Sequence, residues 1–291
     1  MGDSKLIART KRGIELIWYS RSRLGFLNVP IPWRLPYGGW FLAFGDSMGA
    51  RVCGYRLAEH PYEEGPWHFV WRFLQPGMTF VDVGANQGFY TILASKLVGT
   101  DGLVVAFEPA STESRKLRWN LHINSCRNVR LEEAAVGSFE GNCDFHMCLA
   151  HQGSFSSIRH PASDVTSKTQ LVHVPITTLD ACASRFLRRQ VDLVKIDVEG
   201  GELDVLRGAK QMFSSTRPLV MCEVEDRRTE TWGYRAVEII YSLRSVGYRW
   251  CTVDAKGNLE SLPPRREYAS DNLVAVPEEK TVVLKGKGLL C

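Results

Sequence analysis

From Gly77 onward, short apolar β-branched runs alternate with stretches whose apolar residues recur at helical spacing. The pattern predicts strands over about 79–84, 103–108, 128–136, 191–197, 218–224, 247–254 and 271–276, and helices over about 86–98, 111–124, 201–213 and 233–246. Such alternation specifies an α/β chain whose crossover helices cover both faces of a mostly parallel, seven-stranded sheet. Between Gly141 and Asp180 it fails. There Cys143, Phe145 and Met147 alternate with polar residues, as do Val172, Val174 and Ile176, which predicts an inserted β-hairpin with a long loop. Upstream, residues 4–24 place Ile7, Ile14, Ile17, Trp18 and Leu24 along one side of a helix with basic residues elsewhere. The prolines of Val29-Pro-Ile-Pro-Trp-Arg-Leu-Pro36 exclude regular helix, and the aromatic runs Trp40–Phe44 and Trp67–Leu74 read as core or cap packing. Residues 1–75 therefore form a basic, aromatic-rich extension, and residues 76–291 the main domain, with 141–180 inserted.

The stretch Thr79-Phe-Val-Asp-Val-Gly-Ala-Asn-Gln-Gly-Phe-Tyr-Thr91 joins a strand ending in an acid to a glycine turn and a helix start, the arrangement of a nucleotide cradle. The second strand ends at Glu108, where a ribose-binding carboxylate is expected. Asp82 beside the turn repels a pyrophosphate and attracts a cationic ligand, which favours the sulfonium of S-adenosylmethionine over a nicotinamide dinucleotide. The fourth strand ends Lys195-Ile-Asp197-Val-Glu199-Gly-Gly201 and the fifth Glu223-Val-Glu225-Asp226, so several acids gather beyond the strand ends.

Through Val81-Asp-Val-Gly-Ala-Asn-Gln-Gly88, Phe107-Glu-Pro109, Ala134-Ala-Val-Gly137, Thr177-Thr-Leu-Asp180, Asp192-Leu-Val-Lys-Ile-Asp-Val-Glu-Gly200 and Glu202-Leu-Asp-Val-Leu-Arg-Gly208, the chain resembles the FkbM family of S-adenosylmethionine-dependent methyltransferases. The resemblance implies a Rossmann-like class I methyltransferase fold with fourth and fifth strands adjacent, and O-methylation of a small-molecule hydroxyl on a sugar, glycolipid or polyketide. Asp82, Gly84, Asn86, Gly88, Tyr90, Thr91, Glu108, Pro109, Ala135 and Val136 are the expected cofactor contacts. Asp197 is expected nearest the reacting centre, Glu199 or Glu223 as orienting group or base, and Lys195, if its pKa is lowered, as a rival base. His151, Ser154, Ser156 and Ser157 are the expected acceptor contacts, because the family carries a serine-rich segment there. A divalent metal on Asp197 and Glu223 is a minor alternative.

Of the formal charge of +4, the first 34 residues hold +5, so the remainder is nearly neutral. That basic end leaves peripheral membrane contact open, and nucleic acid is not an expected partner. The eight cysteines include no Cys-x-x-Cys pair or zinc-finger spacing, which predicts reduced, mostly buried thiols. There is no apolar run of the roughly 18 residues needed to cross a bilayer, and Ile14–Tyr19 is too short for a secretory signal, so a cytoplasmic location is expected. Two other functions compete: a nicotinamide-dependent oxidoreductase, which lacks the third glycine and a Tyr-x-x-x-Lys pair, and a non-catalytic module binding membrane or nucleic acid through its basic end.

Overall fold

The computed structural model describes residues 29–54, 63–149, 152–162, 165, 168–185, 189–263 and 265–290. The helix expected over residues 4–24 lies outside them, as do Tyr55–His60 and His151. The chain opens with an antiparallel hairpin of β1 (Ile31–Arg34) and β2 (Trp40–Ala43), then α1 (Ser47–Gly54) and α2 (Glu64–Phe73). Alternation follows with β3 (Thr79–Val83), α3 (Phe89–Val98), β4 (Leu103–Phe107), α4 (Ser111–Ile123) and β5 (Val129–Glu132). Next come β6 (Ala135–Val136), β7 (Gly141–Cys148), a 3₁₀ turn at Gly153–Phe155, β8 (Thr169–Thr177) and α5 (Leu179–Arg185). The second half runs β9 (Leu193–Ile196), α6 (Glu202–Arg207), α7 (Lys210–Ser215), β10 (Leu219–Glu225), α8 (Asp226–Glu230), α9 (Val237–Arg244), β11 (Tyr248–Val253), β12 (Leu259–Ser261), β13 (Ala269–Pro277) and α10 (Thr281–Gly286).

The main sheet has eight described strands in the order β12-β11-β13-β10-β9-β3-β4-β5. From β5 to β10 neighbours are parallel, whereas β13 runs antiparallel between β10 and β11. The chain leaves β3 toward β4 on one side and returns to β9 on the other, so the strand order reverses at β3 and opens a crevice beyond the carboxyl ends there. The added strand is β12, a short edge partner of β11. In β3, Phe80 joins the core on one face while Val81 and Val83 join that on the other, which explains why this strand reads as a continuous apolar run. Phe41, Phe69 and Val70 of the upstream segment are fully buried in the first of these cores, as expected of the two aromatic runs, but Trp40 and Trp71 of the same runs are exposed, a departure from the packing role expected of them.

Three expected elements divide differently. The run 128–136 breaks after Glu132, because Ala135 and Val136 leave the main sheet to pair with Ile176 and Thr177 of the β7–β8 hairpin. The helix expected over 201–213 interrupts at Gly208–Ala209, where a side chain on residue 208 would stand 2.0 Å from the carbonyl oxygen of Gly137. The helix expected from 86 starts at Phe89, since Asn86 and Gly88 take left-handed conformations (φ 50° and 93°). Among the described residues, no helix is long and apolar enough to cross a membrane.

Candidate active site

The carboxyl ends of β3, β4, β9 and β10 face a cavity of about 540 Å³. Gly84 (φ +82°) turns the chain out of β3, and its missing side chain is a requirement: a Cβ there would lie 1.8 Å from the carbonyl oxygen of Asp197. The turn is pinned from below, as the backbone N–H groups of Gly84 and Ala85 both donate to Phe107 O. Glu108, buried at the end of β4, accepts from Asn86 N through Oε2 and from Ala110 N through Oε1, each at 2.8 Å. Burial pushes its carboxyl up to about 8, against the pull of those two donors.

Strand register sets the remaining charges. Asp82 lies beside Lys195 on β9, and the parallel pairing of Ile196 with Cys222 puts Asp197 and Glu223 one step further along neighbouring strands. Thr91 Oγ1 donates to Asp82 Oδ2 at 2.6 Å, while Asp82 Oδ1 is buried without a partner among the described residues. Burial raises the Asp82 carboxyl and Lys195 works against that rise. Lys195 Nζ donates to Asp197 Oδ2 at 2.8 Å and sits 4.9 Å from the Tyr90 ring centroid, whose hydroxyl donates to Glu63 at 2.5 Å. Burial would lower the pKa of Lys195, but Asp197, Asp82 and Glu63 outweigh it and raise it instead. The base role that required a lowered Lys195 is therefore corrected: it is held as an ammonium ion.

Carboxylate oxygens of Asp197, Glu199 and Glu223 lie within 4.8 Å of one another. Burial tends to raise Asp197 but Lys195 holds it below its ordinary value, whereas burial pushes Glu199 up to about 8 and raises Glu223 well above the carboxylate range. Arg228 Nε reaches Glu199 Oε2 at 3.0 Å. Oxygen donors at this spacing suit a hard cation, but the ammonium of Lys195 and the guanidinium of Arg228 already oppose two of the three acids. Asp197 is thus the ionised member of the trio, and Glu199 and Glu223 keep their protons to higher pH than ordinary carboxylates do.

Of the expected cofactor residues, Asp82, Gly84, Asn86, Tyr90, Glu108, Pro109, Ala135 and Val136 line the cavity. Gly88 and Thr91 do not. A Cβ on Gly88 would meet Leu117 Cδ1 at 2.3 Å, so this glycine admits helix packing, and Thr91 is fully buried as the support of Asp82. Lys195, Asp197, Glu199 and Glu223 all line the cavity, as do Ser154 and Ser156. Ser157 does not: it is buried and its hydroxyl donates to Glu199 O at 3.1 Å, so it shapes the acidic turn from behind. His151 lies outside the described residues.

Sequence reasoning missed Arg51, Glu63, Phe155, Arg228, Trp232 and Asn272 as wall residues. Gly200-Gly201 carried a signal for Trp232, since a Cβ on Gly200 would meet the indole Cδ1 at 2.6 Å. Asn272 faces the site because β13 pairs it with Glu223, and its Oδ1 is buried without a partner among the described residues.

Residues 82–250, more than half of the chain, match the family described as the methyltransferase FkbM domain. The chain belongs to the FkbM methyltransferase family. It is 25% identical over 142 residues to Methyltransferase 1 of Beauveria bassiana, covering 44% of this chain and 57% of that protein. It is 27% identical over 153 residues to the 2-O-methyltransferase NoeI of Sinorhizobium fredii, covering 49% of this chain and 62% of that one. The matches thus span less than two thirds of either relative. A solved FkbM methyltransferase from Methylobacillus flagellatus is 15% identical with a TM-score of 0.42, covering 78% of this chain and 53% of the other. The strand order of the main sheet is that of a Rossmann-like class I methyltransferase with β12 added at the edge.

The cofactor of the FkbM family is S-adenosylmethionine, and the residues present fit it. Glu108 stands at the crevice with a carboxylate able to accept from ribose hydroxyls, and the unpartnered Asp82 Oδ1 and the neighbouring acids favour a ligand carrying ammonium and sulfonium charge.

These buried acids set a pH dependence for the ligand-free protein. Glu108 and Glu199 are pushed up to about 8 and Glu202 to about 7, each mainly by burial, from an ordinary value of 4.5. Below that ordinary value both folded and unfolded chains hold the protons, so stability is unaffected. As pH rises from about 4.5 to about 8 the folded state keeps protons that the unfolded chain has released, and stability falls through that window. Urea unfolding between pH 5 and 8 is expected to show this decline, shallower with S-adenosylmethionine present. A flat or rising profile without ligand would mean that the acids are solvated in solution.

Proposed function

We propose that the protein is an S-adenosylmethionine-dependent O-methyltransferase acting on a hydroxyl of a small molecule, of the sugar, glycolipid or polyketide kind. The observation that carries this is the placement of three mutually close carboxylates, Asp197, Glu199 and Glu223, in the same crevice as Glu108. An alcohol is a poor nucleophile until it sheds its proton, and a carboxylate whose proton affinity is raised is suited to take it. The 2-O-transfer in the name of the Sinorhizobium relative supports a hydroxyl acceptor.

The bound cofactor supplies an electrophilic methyl group on a positive sulfur. On this reading Glu108 orients the adenosyl end, and Asp82 and Asp197 favour the cationic end. Glu199 or Glu223 accepts the acceptor's proton, while Arg228 and Lys195 keep the surplus negative charge bounded. Asn272, beside Glu223, and Trp232 also line the cavity and are the side chains we assign to the acceptor.

Calorimetric titration of the full chain is expected to show binding of S-adenosylmethionine and of its demethylated product, and little of NADH. Glu108→Gln keeps the shape but removes the carboxylate expected to face the ribose hydroxyls, and is expected to weaken cofactor binding by about 10- to 100-fold, with a smaller effect on the transfer step at saturation. If NADH bound more tightly, or if Glu108→Gln left cofactor affinity unchanged, this assignment would fail.

A further inference from the structure

The β1–β2 hairpin and α4 share an outer face with a composition unusual for an exposed surface. Trp40 and Trp119 are 45% and 46% exposed, and Ile123, one turn beyond Trp119 on the same side of α4, is 38% exposed. These side chains stand on a rigid base. Trp40 N donates to Asn124 Oδ1 at 2.9 Å, Asn124 Nδ2 donates back to Trp40 O, and Leu42 N donates to Asn120 Oδ1 at 2.7 Å, which laces β2 along the helix. Trp119 stacks on Phe44 with ring centroids 5.7 Å apart. Their exposure is therefore built into the fold.

The surroundings are cationic. The Arg34 guanidinium lies 6.0 Å from the Trp40 ring centroid, and the exposed Lys96 brings its Cε to 3.0 Å from where a Gly39 Cβ would stand. Arg115, Arg118 and His122 are exposed on α4, and Arg127 just beyond it. The one acid of α4, Glu113, is buried and faces Lys116 and Gln87 on the inner side. Arg118 meets Glu133 in an exposed pair. Two indoles on a fixed platform, ringed by cations, match the interface of an anionic bilayer, where indole rings settle among headgroups and cations meet lipid phosphates. The basic first 28 residues are a poor occupant, since they carry the same sign of charge.

We infer that this face, centred on Trp40 and Trp119, docks the protein on membranes containing anionic phospholipid. The surface is separate from the crevice and does not rest on the methyl-transfer reading. Co-sedimentation of the full chain with phosphatidylcholine vesicles, with and without phosphatidylglycerol, tests it. Binding is expected only with phosphatidylglycerol, weakening as salt rises. The double substitution Trp40→Ser with Trp119→Ser should weaken it about tenfold, as should Arg34→Glu with Arg115→Glu, while Trp71→Ser, at an indole 44% exposed on α2, changes nothing. Unaltered melting temperatures would show that the variants fold. Absence of vesicle binding, unchanged binding by both double variants, or equally tight binding of a DNA duplex through the same residues would each overturn the inference.

Discussion

Gly84→Ala is expected to abolish measurable cofactor binding and to lower stability by about 3 kcal/mol. The methyl group would enter the space held by the carbonyl oxygen of Asp197, 1.8 Å away, and a backbone atom at the end of a central strand cannot swing aside. Relief requires β3 and β9 to part at the point where the crevice opens, which also moves the acids on either side. A displacement of about 1 Å there costs on the order of 100-fold in function. The positive φ adds strain that alanine tolerates poorly. Gly99→Ala provides the comparison: residue 99 also has positive φ, but nothing lies within 4 Å of its added Cβ. It should cost about 1 kcal/mol and leave binding intact. Denaturant unfolding and calorimetry on both variants separate clash from conformational strain, and equal losses in the two would remove the strand-parting explanation.

Asp197→Asn is expected to slow methyl transfer by about 100- to 1,000-fold while changing cofactor affinity by less than about tenfold. The amide fills the same volume but no longer draws the Lys195 ammonium, which donates to Oδ2 at 2.8 Å and is nearly sealed from solvent. Loss of this negative charge also removes a reason for Glu223 and Glu199 to hold protons, so their titration should move downward. The rate–pH profile of the variant, measured with an acceptor that the unaltered protein methylates, should rise at lower pH than that of the parent. A variant that loses binding and turnover equally, with an unshifted profile, would make Asp197 a cofactor contact and nothing more.

The donor half of the crevice was legible because each of its parts has a local cause. Buried parallel strands leave apolar runs such as Phe80–Val83, a tight exit leaves a glycine at 84, and an acid at a strand end leaves Glu108 or Asp197. The rest of the wall had no local cause to read. Arg51 and Glu63 reach the cavity because the upstream segment packs its aromatics on the sheet, and Asn272 because β13 runs backwards between β10 and β11. The break in 128–136 was hidden for a similar reason: Val129–Glu132 and Ala135–Val136 both suit extended pairing, and only the hairpin at 141–177 decides that they serve different sheets. Lys195 shows the limit most clearly. Burial alone would have lowered it, and Asp197 two residues on, joined by Asp82 and Glu63 from elsewhere in the chain, reverses the sign.

Asp46 sits ahead of the region matched to the family, yet its carboxylate accepts from Gln87 Nε2 and pairs with Lys116, both at 2.8 Å, and Gln87 also donates to Glu113. The glycine turn and the upstream wall are therefore clasped at one buried polar knot, while the rest of that wall, Met48, Arg51 and Glu63, hangs from it over the cavity. A substitution that broke the knot would therefore loosen the glycine turn and this upstream wall together.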